Sequence, residues 1–266
     1  MIAACLKFTA PPGHELDDDR FAGISPADRA ALEIALRLAD VRADHVMVVA
    51  AGPRAADRML RAALACGAAT AIRIDSPPDR DSRDTAFELA EAVRGADVVV
   101  CGDYSLDRGS GSVPAFIAHR LSAAQALGLV SLDPGHASAR SIRAVRRLDG
   151  GRREVLDVPV PCVISVEGSV ASLRRASLRR ALQSADAVIE SRPAAPAHHA
   201  VPAVIVTPFR PRARTLAAPA AADVLGRLRL LTDALGTPAH GETIELAPRA
   251  SAERILAALH GWGYLT

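Results

Sequence analysis

Aromatic side chains are scarce in this chain. Phe, Tyr and Trp together make up 3% of its 266 residues, with a single Trp and two Tyr. So few rings leave little to stack on unpaired bases, which argues against a platform for single-stranded nucleic acid. A surplus of one charge is missing too: 32 basic residues stand against 30 acidic ones, a formal net charge of +2. That balance provides no electrostatic footprint for DNA or RNA. Among the basic residues only Lys7 is a lysine. The heavy use of arginine and alanine has the look of coding bias rather than chemistry.

Cysteine is limited to Cys5, Cys66, Cys101 and Cys162. No two are spaced as a CxxC pair, and each lies in an apolar stretch. Buried free thiols in a reducing compartment fit this better than a zinc site or a redox motif. No apolar run approaches membrane-spanning length. Met1–Leu6 is too short for the apolar core of a signal peptide, and Lys7 follows it. The expectation is a soluble cytoplasmic protein with no membrane insertion and no nucleic-acid partner.

What is present centres on the stretch from Val98 to Leu121. Val98-Val99-Val100-Cys101 reads as a buried strand. Gly102 to Ser112 is a loop of small and polar residues, and Val113 to Leu121 carries apolar residues at helical spacing. Strand, small-residue loop and helix start form a ligand edge of an open α/β sheet. Unpaired N–H groups at the helix N-terminus suit a phosphate, and glycine lets a ligand approach the backbone. An ordinary strand-to-helix turn explains the stretch equally well. The loop is neither a Walker loop nor a GxGxxG fingerprint.

The rest of the chain supplies a frame for it. Residues 1–7 read as a first strand, and 8–24 as a polar loop whose acidic run, Asp17-Asp18-Asp19, is most simply a solvated surface. Ser25-Pro26-Ala27-Asp28 has the form of a helix start, with Ser25 as N-cap and Pro26 in the first turn. His45–Ala50 and Ala71–Ile74 read as strands, with helices around Met59–Leu64 and Phe87–Val93. Alternation of this kind predicts a doubly wound parallel sheet. Ligands of such sheets gather at the carboxyl ends of the strands, here Cys5–Lys7, Ala50–Gly52 and Gly102–Asp107. The loop before Ser25 leads to the same edge.

From Ala126 the texture changes. Ser141–Leu148 and Arg152–Val158 flank Asp149-Gly150-Gly151, a hairpin signal. Cys162–Val166 reads as a strand. The basic stretch from Ser172 to Leu182 interleaves Leu173, Leu178 and Leu182 with arginines. It fits either an amphipathic surface helix or a docking segment for an acidic partner. Residues 191–200 read as a linker, with His198-His199 a solvated pair. Beyond lie a strand at 203–207, a basic proline loop, and helices around 221–235 and 251–259. This tail is small for a core of its own.

Read in order, these segments resemble the small (beta) subunit of electron transfer flavoproteins. The resemblance covers residues 1–190 and is weaker beyond. It rests on the strand ending in Lys7, on Ser25-Pro26-Ala27-Asp28 followed by Glu33-Ile34-Ala35-Leu36-Arg37-Leu38, and on Ala51-Gly52. It continues through Arg61-Ala62-Ala63-Leu64-Ala65-Cys66-Gly67-Ala68, the loop Gly102 to Val113, Asp149-Gly150-Gly151 and Val160-Pro161-Cys162-Val163. The chain looks like a divergent member of actinobacterial type, of the kind associated with the mycofactocin redox system.

The resemblance implies an α/β fold of the adenine nucleotide alpha hydrolase-like (HUP) type, with an added β-hairpin and an extended C-terminal tail. Residues 1–190 would form the nucleotide-binding domain, and 191–266 an extension wrapping onto the partner. It implies a heterodimer with a large (alpha) subunit that holds most of the redox FAD, while this subunit binds AMP or a second FAD. Nucleotide contacts would fall at Cys5, Ser25, Pro26, Ala27, Asp28, Ala51, Gly102, Ser105, Arg108, Gly111, Ser112 and Val113. Arg174 and Leu178 would dock a partner dehydrogenase. The chain would carry electrons and have no catalytic residues of its own; Asp28, Asp107 and His119 share no linking motif.

Departures from the family pattern fall at the same places. Ser25 replaces the usual Asn, Asp103-Tyr104 the usual Lys-Gln, and Asp107-Arg108-Gly109-Ser110 the Asp-Gly-Asp-Thr of electron-bifurcating members. Ala171-Ser172-Leu173-Arg174 replaces Asn-Glu-Pro-Arg. They leave the nucleotide open and point to an unusual dehydrogenase. A second reading is a regulatory nucleotide-binding module like the universal stress proteins. The hairpin, the basic segment and the tail argue against it. A third, an enzyme cleaving ATP at the α-phosphate, lacks the Ser-Gly-Gly-x-Asp-Ser turn after the first strand.

Overall fold

The structure is a computed structural model that describes residues 1–9, 23–77, 80–136, 140–196, 223–231 and 243–265. Two units divide it, Met1–Val204 and Ile205–Thr266.

The first unit is built on one sheet. Its first strands are β1 (Ile2–Cys5), β2 (Val46–Gly52), β3 (Thr70–Asp75) and β4 (Val98–Gly102). They alternate with α1 (Pro26–Arg42), α2 (Ala56–Cys66), α3 (Ser82–Ala92) and α4 (Val113–Leu121). Then come β5 (Ala124–Leu132), β6 (Ser141–Arg147), β7 (Arg153–Pro159), β8 (Cys162–Val166), the short helix α5 (Leu178–Ala185) and β9 (Glu190–Pro193). The strand order is β7-β6-β5-β8-β4-β1-β2-β3-β9. The run from β5 to β9 is parallel throughout; β6 and β7 add an antiparallel hairpin at one end. This is a doubly wound α/β fold.

The alternation of side chains along each strand explains the layering. Ile2 and Ala4 of β1 and Val98 and Val100 of β4 join Leu32, Leu38 and Leu60 of α1 and α2 on one face. Ala3, Cys5, Val99 and Cys101 join Leu89 of α3 and Ile117 of α4 on the other. Successive strand residues point to opposite faces, so a strand covered on both sides must be apolar at every position. The four-residue β1 is buried along its whole length. Each fully buried Ile, Leu or Val contributes roughly 1.5–3 kcal/mol, which makes this two-faced core the main source of stability.

Local signals set the helix ends. Ser25 is the N-cap of α1: its hydroxyl accepts a hydrogen bond from Asp28 N at 3.0 Å, and Pro26 opens the helix. The hairpin predicted around Asp149-Gly150-Gly151 is present as β6 and β7.

Two expectations are corrected in this unit. The linker expected over 191–200 is a strand at its start, because β9 pairs with β3 in parallel from Ile72↔Glu190 to Asp75↔Pro193. A boundary at 190 therefore cuts a sheet strand. All four residues of β9 are exposed and one is Pro, a composition read as linker that a sheet edge also accepts. The basic segment is not one helix from 172. Residues 171–177 are non-helical, Leu173 packs against the core, and α5 starts only after its N-cap Ser177.

In the second unit the described residues include α6 (Val224–Leu231), inside the helical region expected at 221–235, and α7 (Pro248–Gly261), which covers the helix expected at 251–259 and extends past it at both ends. None of α7 is buried. The strand expected at 203–207, the proline loop and His198-His199 lie outside the described residues.

Candidate nucleotide site

In the sheet order, β1 is flanked by β2 on one side and β4 on the other. The chain winds outward from β1 in both directions, which leaves a crevice beyond the carboxyl ends of these strands. A cavity of about 290 Å³ occupies it. Its walls come from Cys5–Thr9 at and beyond the end of β1, Ala51–Pro53 at the end of β2, Ser76, Pro77 and Arg80 after β3 with Ser82, Thr85 and Leu89 of α3, and residues from Cys101 to Pro114 between β4 and α4. Asp28 of α1 completes the lining.

Asp28 ties three of these elements together. Its carboxylate accepts a hydrogen bond from the Ser25 hydroxyl at 3.0 Å. It is also within reach of backbone N–H groups of Lys7, Ser25 and Gly102. Burial pushes the carboxyl up from 3.8 to about 6, against the pull of these hydrogen bonds. The start of α1 is thereby held on the ends of β1 and β4.

Gly102 is required by this contact. A Cβ there would lie 2.8 Å from Asp28 Oδ1 and 3.0 Å from Asp28 N. Farther along the loop, Gly111 has φ +58°, and a Cβ on it would lie 2.5 Å from the Asp103 carbonyl oxygen. Past that turn, α4 begins at Ser112 with no side-chain cap. The Ser112 hydroxyl lies 3.2 Å from that of Ser110 instead. The backbone N–H groups of the first turn of α4, and the positive end of its dipole, are thus left for an anion at the cavity wall.

Charge on the rim is largely paired. Lys7 Nζ donates to Asp107 Oδ1 at 2.6 Å. Partial burial would raise the Asp107 carboxyl, but the hydrogen bond and charge of Lys7 outweigh it and hold the group below its usual range. Arg108 Nη1 donates to the Arg80 carbonyl oxygen at 2.8 Å, linking the loop after β4 to the loop after β3. Arg80 Nη2 pairs with Glu88 Oε1 at 2.9 Å.

Cys5, Asp28, Ala51, Gly102, Ser105, Arg108, Gly111, Ser112 and Val113, all expected as contacts, line the cavity. Ser25, Pro26 and Ala27 do not. Ser25 is buried behind Asp28 as the helix cap, and Gly168 packs against Pro26 and Ala27. The wall between β3 and α3, with Ser76 and Arg80, was not foreseen: a polar stretch with prolines reads as an ordinary loop. Its place at the same carboxyl edge was the available signal.

The residues expected to dock a dehydrogenase differ in their surroundings. Leu178 is 76% exposed. Arg174 is held within the chain, by Glu33 Oε2 at 3.0 Å and Asp40 Oδ2 at 2.9 Å. Burial would raise the Glu33 carboxyl; its bonds from Arg174 and Arg37 outweigh that and lower it. Among the described residues there is no group of three or more His, Cys, Asp or Glu able to hold a metal ion, and no helix long and apolar enough to cross a membrane.

Fold and crevice together define a doubly wound α/β protein with a cavity at the switch point of its sheet. The family model described as "Electron transfer flavoprotein domain" matches residues 16–197. The chain belongs to that family, and its relatives place it with the beta subunits. It is 33% identical over 189 residues to Protein FixA of Rhizobium meliloti (strain 1021), covering 68% of this chain and 64% of that protein. It is 32% identical over 181 residues to electron transfer flavoprotein subunit beta of Syntrophomonas wolfei, covering 63% of this chain and 69% of that one. The subunit beta of Mycobacterium bovis is 32% identical over 161 residues, 56% of this chain and 58% of that protein. Against two FixA proteins, from Rhizobium meliloti and Azorhizobium caulinodans, the match spans 64% and 62% of their length. Nothing in these matches supports the stress-protein alternative.

Proposed function

We propose that this chain is the small subunit of a heterodimeric electron transfer flavoprotein, holding an adenine nucleotide in the crevice while a larger chain carries the redox FAD. The observation that carries this reading is the convergence of four strand ends and the uncapped start of α4 on one cavity, in a chain of this family.

The residues present fit a nucleotide. Gly111 and the first turn of α4 suit a phosphate, Gly102 and Asp28 set the floor, and Ala51 and Cys5 offer small side chains against which a ribose or base can lie. The cavity is at the small end of the range for ligand sites, which favours AMP over a second FAD.

A flavin on the larger chain would supply the electron-carrying chemistry. The residues of this chain bind and orient, and they keep charge paired at the rim. Electrons would pass from a partner dehydrogenase, docked near exposed Leu178, to a downstream acceptor. The tail would lie on the large subunit. A soluble, cytoplasmic complex is the corresponding setting.

Co-expression with a candidate large subunit, purification and extraction of bound small molecules test this. A yellow heterodimer releasing FAD, with AMP in equal amount, is the expected result. A stable, colourless homo-oligomer holding ATP or AMP would overturn it and favour a regulatory module.

A further inference from the structure

Two cysteines lie side by side at the floor of the cavity. Cys5 ends β1, Cys101 is the next-to-last residue of β4, and the parallel register sets one opposite the other. Both side chains are on the face of the sheet shared with Ala3, Val99 and Leu89. Neighbouring strands run roughly 4.8 Å apart, and a disulfide needs Cα atoms about 4.4–6.8 Å apart. The two thiols are free and within hydrogen-bond reach of each other. The other cysteines are placed elsewhere. Cys162 stands opposite Val98 and packs on the other face of the sheet. Cys66 ends α2, where its Sγ donates to the Arg174 carbonyl oxygen at 3.5 Å.

The cavity gives access to the pair. Ala4 and Val100, one step back on each strand, are fully buried, whereas Cys5 and Cys101 keep 6% and 4% of their surface and both line the cavity. A space of about 290 Å³ admits hydrogen peroxide, a molecule little larger than water. The hydrogen bond with Cys5 and burial hold the Cys101 thiol well above its usual range. Cys101 therefore keeps its proton, and Cys5 is the sulfur that attacks.

We propose that Cys5 and Cys101 are a redox-modification site on the cavity floor, a dithiol that hydrogen peroxide converts to a disulfide. The Cys5 thiolate attacks one peroxide oxygen and the O–O bond breaks. Cys5 becomes a sulfenic acid, and the departing hydroxide takes up the proton that Cys5 gave up, as water. The Cys101 sulfur then attacks the Cys5 sulfur. The S–O bond breaks, the S–S bond forms, and the hydroxide leaves with the Cys101 proton as a second water. The two thiols lose two electrons, and one peroxide is reduced to two waters. The new bond joins two of the strand ends that wall the cavity. It needs only the two thiols and the cavity, so it stands apart from the nucleotide reading.

The test uses the full-length chain, with its candidate large subunit where the two co-purify, reduced, stripped of bound small molecules and treated with excess hydrogen peroxide. Peptide mapping by mass spectrometry is expected to show a Cys5–Cys101 cross-link, with both thiols lost and both recovered by dithiothreitol. Cys101→Ala removes the second sulfur, so dimedone should label a sulfenic acid on Cys5. Cys5→Ala should leave Cys101 a thiol. Three results overturn the proposal: both thiols intact after treatment, Cys5 carried on to a sulfinic acid beside an unreacted Cys101, or a cross-link to Cys66 or Cys162 instead. A Cys5–Cys101 cross-link that forms only in denaturing urea also overturns it, because the cavity would then give no access.

Discussion

Gly102 and Asp28 lie against each other at the floor of the crevice, so closely that a Cβ on Gly102 would meet Asp28 Oδ1 at 2.8 Å. The end of β4 and the start of α1 are fitted to each other there, and the fit holds only without a side chain at position 102. Gly102→Ala also brings its new methyl to 3.1 Å from the Ala27 carbonyl carbon, where backbone and not a flexible side chain must give way. A loss of about 1–3 kcal/mol is expected, measured by urea unfolding. Gly261→Ala, with nothing within 4 Å, should stay close to neutral.

The Asp28 carboxyl carries a pH signature. Its folded value, about 6, lies above the ordinary 3.8 because of burial, against the hydrogen bonds from Ser25 and the backbone. A raised folded value means that the unfolded chain ionises first. The contribution to stability is therefore complete below about pH 4 and is lost as pH rises through about 6. A difference of this size corresponds to roughly 3 kcal/mol. Asp28→Asn, which resembles the protonated form, should remove this decline between pH 4 and 7 in denaturant titrations. An identical pH profile in the variant would show that other groups are responsible.

Gly111 tests the anion end of the crevice. With φ +58° and the Asp103 carbonyl oxygen 2.5 Å from a would-be Cβ, Gly111→Ala must move the turn that leads into α4. AMP affinity is expected to fall at least about tenfold, with a stability loss of about 1–3 kcal/mol. Calorimetry and thermal melting read the two effects separately.

Arg174 and Leu178 should separate under mutation. Glu33 is buried and depends on Arg174 and Arg37. Arg174→Ala removes one of its two arginine partners, and a loss of roughly 1–2 kcal/mol is expected, at the lower end for a charged hydrogen bond because Arg174 is itself partly exposed. Because its partners lower the Glu33 carboxyl, that contribution is present above the unfolded value and is lost as pH falls through the folded one. Leu178→Ala, at an exposed position, should change stability by less than about 0.5 kcal/mol. If Leu178 docks a dehydrogenase as proposed, the effect of this substitution should appear only as slower electron transfer from that partner. A destabilised Leu178→Ala would show that the residue packs within the chain.

The alternation of strands and helices from residue 1 to 121, the cap at Ser25 and the hairpin at Asp149-Gly150-Gly151 were determined by the sequence alone. Each depends on interactions between residues near one another in the chain: period-2 and period-3.6 burial, a hydroxyl on the first helical turn, and a two-glycine reversal. β5 escaped such a reading because Gly128 interrupts its run, and its register shifts between Ala126 and Leu129. Only the tertiary structure decided that β8 inserts between β4 and β5, that polar Glu190–Pro193 completes a sheet edge, and that Arg174 serves Glu33 and Asp40. The same is true of the site's far wall. Ser76 and Arg80 meet Gly111 and α4 across one cavity because parallel strands bring their carboxyl ends to one edge. That proximity comes from sheet order, and no local pattern along the chain encodes it.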